Sequence, residues 1–145
     1  IDPDFIRVRT LTIHDRMPLY NELKNGNFIR STDEEIVAEE KLLLQHLECH
    51  SNYVSDHITN LLQEIEGKLP RDKEEMLASI DRFQSLPPQE RTNFIIGRRV
   101  GIYVHLDDLA NSHKHQAVEQ IIQRLNQGSG QVSDETIYSL MEGFI

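Results

Sequence analysis

The sequence predicts an all-α fold: a bundle or irregular stack of about six or seven helices with an extended N-terminal arm. Three observations lead there. Apolar residues recur every three to four positions, as in Met76, Leu77, Ile80 and Phe83, and that spacing lines them along one side of a helix. Pro18, Pro70 and Pro88 stand where such runs begin, and Gly26, Gly67 and Gly128 where they stop, the order that helix starts and ends favour. One segment alternates apolar and polar residues, but no second of equal quality follows it, so a sheet has nothing to build on.

The arm is residues 1–14. From Phe5 to Ile13 it mixes β-branched residues with near-alternation. A lone strand leaves its backbone groups unpaired, so the arm is expected to lie extended over a helical body, with an edge also suited to a partner chain. Pro18 opens the first helix, which carries Leu19, Tyr20 and Leu23. Ser31 or Thr32 caps the second, and Asp33, Glu34 and Glu35 suit the positive end of its dipole. That helix, read as residues 33–49, carries Ile36, Val37, Leu43, Leu44 and Leu47. Its Leu42-Leu43-Leu44 run sweeps about 200° of the circumference at about 100° per residue, which predicts neighbours on more than one side.

Val54, Ile58, Leu61, Leu62 and Ile65 make the next helical stripe, and Pro70 with Asp72 opens the one bearing Met76 to Phe83. Pro87-Pro88 interrupts it, and Pro88 begins another. The stretch from Phe94 reads as a central helix running through Leu109. Gly97 and Gly101 would lie on one of its faces, where a neighbouring helix approaches closely, each at a cost of about 1 kcal/mol in helix propensity. Ala117, Val118, Ile121, Ile122 and Leu125 mark a further helix. Ser133 caps the last, with Asp134 and Glu135 in its first turn and Ile137, Leu140, Met141 and Phe144 as its stripe.

The chain has 145 residues, 38% of them hydrophobic and 27% charged, enough for one core. It reads as a single helical domain over residues 1–145, a piece of a longer protein. Lys and Arg number 15 against 24 Asp and Glu, a net charge of −9. That balance disfavours nucleic acid or an anionic membrane as a general partner. A single cysteine, Cys49, allows no intrachain disulfide and points to an intracellular setting, cytoplasmic or nuclear. No apolar run approaches the roughly 20 residues of a membrane span, and membrane insertion is not expected. Nor is a cofactor, since no phosphate-cradling glycine loop is present.

Four groups carry candidate chemistry. His46 and His50 sit one helical turn apart with Cys49 beside them, a spacing that suits two or three ligands of one metal, with Asp56 or His57 completing the shell. The plainer reading is of boundary histidines near a helix end. His105, Asp107, Asp108, His113 and His115 offer His–Asp pairs for acid–base work, but nothing beside them resembles an activated nucleophile. Arg91, Arg98 and Arg99 form a basic spot able to hold phosphate or RNA, against the alternative of salt bridges to the chain's own carboxylates. Lys68, Arg71 and Lys73 suit a solvated helix start. Leu140, Met141, Phe144 and Ile145 form a terminal apolar patch, a candidate interaction or self-association surface.

His113-Lys114-His115-Gln116-Ala117 followed by Ile121 and Leu125, with Gly67-Lys68-Leu69-Pro70 and Met76 before them and Val132 to Gly143 after, resembles a known helical domain. It is the one shared by the steroid-receptor RNA activator protein and the C-terminus of the COPII outer-coat subunit. The likeness spans residues 53–145 at most, and His115 stands where the activator branch has an aromatic residue. It implies a small helical bundle that binds protein without catalysis. The expectation is therefore a non-enzymatic protein–protein interaction or self-association module, a scaffold in a larger intracellular assembly. The alternatives are an RNA-associated regulatory domain using the arginines and a metal-dependent activity at the His/Cys cluster.

Overall fold

The computed structural model describes residues 2–126 and 132–142. In chain order its elements are β1 (Phe5–Arg7), α1 (Pro18–Lys24), α2 (Asp33–His46), β2 (Asn52–Val54), β3 (Glu66–Lys68), α3 (Lys73–Gln84), α4 (Pro88–Arg99), a 3-10 turn (Leu106–Ala110), α5 (Ser112–Asn126) and α6 (Asp134–Glu142). The fold is mostly helical, but it is not all-α, because the arm does find strand partners. β1 runs parallel to β2, with Ile6 opposite Tyr53, and β2 is antiparallel to β3, with Tyr53 opposite Gly67. No helix among the described residues is long and apolar enough to cross a membrane.

Where local signals are strong, the elements follow them. Thr32 and Glu35 close a reciprocal cap on α2: the Thr32 hydroxyl accepts from the Glu35 N–H at 3.2 Å, and the Glu35 carboxylate accepts from the Thr32 N–H at 2.8 Å. α2 ends at His46 rather than Cys49. Lys73 Nζ takes two carbonyls at that end, donating to Gln45 at 2.7 Å and Leu47 at 3.1 Å, and Cys49 turns inward to become buried. No residue of α1 is buried.

The stripe from Val54 to Ile65 is not a helix. Val54 closes β2, and Leu61, Leu62 and Ile65 enter the core from irregular chain. Interleaved with them are Ser55, Thr59 and Asn60, whose short polar side chains compete for backbone groups. Buried Asn60 donates to the carbonyls of Val8 at 3.0 Å and Ser55 at 3.1 Å, and accepts from the Thr10 N–H at 2.7 Å. Three carbonyls of this inward-lying loop need donors, and α4 supplies them. Arg98 donates to Asn60 at 2.9 Å and Leu61 at 2.8 Å, and Arg99 donates to Thr59 at 2.9 Å. Arg99 also ion-pairs with Asp33 at the start of α2. The two guanidinium groups thus do for an irregular segment what ladder hydrogen bonds do for a strand.

The central helix expected to run through Leu109 stops at Arg99. Gly101 adopts φ +74°, and the N–H groups of Ile102 and Tyr103 both fold back to the Gly97 carbonyl, at 2.9 and 3.0 Å. This left-handed cap reverses the chain and lays the Tyr103 ring on Gly97. A Cβ there would stand 2.9 Å from Tyr103 Cγ and closer still to two other ring atoms. The close approach at Gly97 is therefore to a ring of the same reversal, not to a neighbouring helix.

One core joins these parts. Val37 and Leu44 of α2, Tyr53 of β2, Ile80 and Phe83 of α3, Phe94 and Ile96 of α4 and Val118 of α5 pack into a single cluster. Phe94 lies between Phe83 (centroids 5.8 Å, tilted) and Tyr103 (6.0 Å, stacked).

Candidate functional site

α2 lies beside the arm, and between them runs a groove. The arm cannot collapse onto the helix because it is tied along its other side. The Val8 N–H donates to the Val54 carbonyl at 3.1 Å, and Asn60 holds Val8 and Thr10. Two hollows follow one another along the groove. The first, about 280 Å³, is walled by Val8, Ile36, Leu43, Tyr53 and Leu61. The second, about 300 Å³, is walled by Leu11, Ile13, Phe28, Arg30 and Ile36. Arg9, Thr10, Ile36 and Glu39 belong to both, so the two adjoin. Leu43 (42% exposed) and Leu11 (55% exposed) carry the apolar lining out to solvent.

Charged groups stand at each end. Glu40 faces the first hollow, its Oε1 accepting from the buried Tyr53 hydroxyl at 3.0 Å. Burial pushes the Glu40 carboxyl above the ordinary carboxylate range, with hydrogen bonds from Tyr53 and Ser55 acting the other way. The same burial, with the Glu40 charge beside it, raises the Tyr53 phenol. At the other end Arg30 stacks over the Tyr138 ring at 4.6 Å, its Nε buried without a hydrogen-bond partner. Tyr138 anchors α6 there by donating to the Ser31 carbonyl at 2.8 Å. Most of the exposed lining is apolar, and Thr10, Asn60 and the charged Arg9, Arg30, Glu39 and Glu40 are set into it, a mixture that suits a binding cleft.

The sequence-derived candidates fare differently. His46, Cys49 and His50 do not converge, because α2 has ended before Cys49. His46 Nδ1 lies 2.8 Å from the carbonyl of Leu42, Cys49 is buried, and His50 pairs with Asp2 at 3.1 Å. Asp56 pairs with Arg7, and His57 bonds the Thr59 hydroxyl. Among the described residues no group of three His, Cys, Asp or Glu is placed to hold a metal ion.

Arg98 and Arg99 are 6% and 2% exposed and spent on loop carbonyls and Asp33, so they form no surface patch with Arg91. Arg91 itself pairs with Glu34 at 2.9 Å and donates to the Leu86 carbonyl. The salt-bridge alternative describes Arg91 and Arg99.

The second polar cluster is divided among separate pairs. Asp107 takes Arg82, Asp108 takes Lys114, and His115 takes Glu90. Burial would raise the Asp108 carboxyl, but hydrogen bonds from Lys114 and the N–H groups of Val104 and His105 outweigh it and hold it down at about 2. Of the terminal patch, Met141 is buried and Leu140 packs against the core, so these two are not an exposed surface. Phe144 and Ile145 lie outside the described residues.

Glu40 and Tyr53 were not among the candidates. One signal in the sequence pointed to Glu40: on α2 it falls four residues after Ile36 and three before Leu43, a charge inside an apolar row. Nothing local marks Tyr53, whose position depends on strand pairing. No protein-family model, curated protein or solved structure matches this chain.

Proposed function

We propose that this chain is a non-enzymatic helical interaction module, a scaffold within a larger intracellular assembly, and that it docks a segment of a partner polypeptide in the groove between the arm and α2. The observation that carries this reading is the pair of adjoining, largely apolar hollows between α2 and an arm tied back along its far side. An extended or helical segment would bury Leu43 and Leu11 there, at roughly 25 cal/mol for each Å² of apolar surface removed from water. Preformed walls spare much of the ordering cost of binding.

Selection of displayed random peptides on the purified chain tests the proposal. Peptides should be enriched that lose binding to the surface variants Leu43→Asp and Leu11→Asp. The proposal fails if none is enriched, or if those variants bind the peptides unchanged. Light scattering across a concentration series tests the self-association alternative. A dimer broken by Leu43→Asp would make a second copy the occupant.

A further inference from the structure

We infer that the hollow beside Glu40 is a subsite for a lysine side chain of the docked segment, with the Glu40 carboxylate receiving its ammonium group. This rests on the groove reading above and adds the chemistry of what the groove selects.

Asp33, Glu34, Asp72, Asp81, Asp107 and Asp108 each face a cation of this chain. Glu40 is in none of the ion pairs among the described residues, although it is half-buried. Its contacts are the hydroxyls of Tyr53 and Ser55, which help a carboxylate but do not neutralise it. A carboxylate withdrawn from water without a counter-charge is costly, and a ligand cation would offset that cost. The other charged groups lining the hollow are Arg9 and Glu39, both exposed, so its net charge is negative.

Shape and valence select lysine. Val8, Leu43 and Leu61 form apolar walls that suit a four-carbon stem, and the cavity of about 280 Å³ gives it room. Glu40 already accepts from the hydroxyls of Tyr53 and Ser55, which leaves about two of the four lone-pair sites of a carboxylate for a compact ammonium. A guanidinium would bring five donors in a plane and leave most of them unpaired.

The test titrates the isotopically labelled 145-residue chain with butylammonium chloride at constant ionic strength, reading amide shifts by NMR, alongside butanol and sodium chloride. Saturable shifts near Val8, Glu40 and Leu61 are expected with butylammonium alone. Glu40→Gln keeps an acceptor for the Tyr53 hydroxyl and should weaken binding by about tenfold or more, the range of a charged hydrogen bond. Leu43→Lys, at an exposed position one turn along α2, supplies an ammonium from within and should abolish the shifts even if Glu40→Gln perturbs the fold. No saturable shift, equal shifts with butanol, or unchanged binding in both variants overturns the subsite. Selected peptides that bind equally well with lysine replaced by norleucine overturn it too, while leaving the groove standing. Failure to enrich any peptide instead counts against the groove itself.

Discussion

Replacing Gly97 with alanine sets two physical effects of opposite sign against each other. Gly97 lies inside α4, and by helix propensity alone alanine there should stabilise by about 1 kcal/mol. The Tyr103 ring decides otherwise. The new methyl would stand 2.9 Å from Tyr103 Cγ and much nearer to its neighbours, so the ring must retreat by about 1.5 Å to regain ordinary contact. It has nowhere to go. Tyr103 is 0% exposed and stacked on Phe94, and its hydroxyl donates to Asn93 Oδ1 at 2.7 Å. Asn93 in turn holds Glu119 of α5 at 2.6 Å. Overpacking costs about 1–3 kcal/mol, and a broken buried hydrogen bond adds about 1–3 kcal/mol. After the propensity gain the net loss is about 3 kcal/mol, or roughly 6–12 °C in Tm for a domain of this length. Urea unfolding followed by circular dichroism reads it directly. Gly26→Ala is the control: φ is +73° with nothing within 4 Å of the new carbon, so only the left-handed backbone is penalised, at about 1–2 kcal/mol. A Gly97→Ala protein as stable as its parent, or more so, would refute the account of the reversal after α4.

Three further perturbations probe the rest of the framework. Arg99→Met leaves Asp33 charged and buried and the Thr59 carbonyl without its donor, and should cost about 3–5 kcal/mol in urea unfolding. A loss below about 1 kcal/mol would mean that the pair is not the tie between α2 and the 55–65 loop. Thr32→Ala removes half of the reciprocal cap and should lower stability by about 1 kcal/mol, with hydrogen exchange rising first at the α2 N-terminus. The Asp108 carboxyl, held at about 2 against an ordinary 3.8, contributes stability that is full above pH 3.8 and lost as pH falls through about 2. The difference in urea midpoint between the parent and Asp108→Asn should therefore shrink as the pH is lowered from 5 to 2. A difference that stays constant would show that the Lys114 contact does not act through charge.

The candidate groove was only partly legible beforehand. Leu43 and Ile36 belong to an over-wide stripe on α2, whose width predicts either neighbours on several sides or an uncovered strip for docking or self-association. One of those neighbours is the arm, held off the helix by Asn60. Glu40 was visible as a charge in the apolar row, but its lack of a cation follows from where every Lys and Arg ends up. The arginines show the same limit in reverse. Side by side in the sequence, Arg98 and Arg99 look like a surface charge, yet they are buried because three loop carbonyls and Asp33 lie within their reach.

Local chemistry by itself determined much of the helical framework. The Thr32–Glu35 cap, the prolines at 18 and 88, the stripe from Met76 to Phe83, and Val118 within its helix all act over a few residues, and the helices they mark appear where those signals stand. Tertiary structure alone decided the sheet and the loop from Ser55 to Ile65. Ile6 pairs with Tyr53, and Asp33 with Arg99, across separations of dozens of residues. A hydrophobic residue every three or four positions says that a segment has something to bury. Whether its backbone is satisfied by its own next turn, by a distant strand or by a guanidinium depends on which donors the rest of the chain brings there.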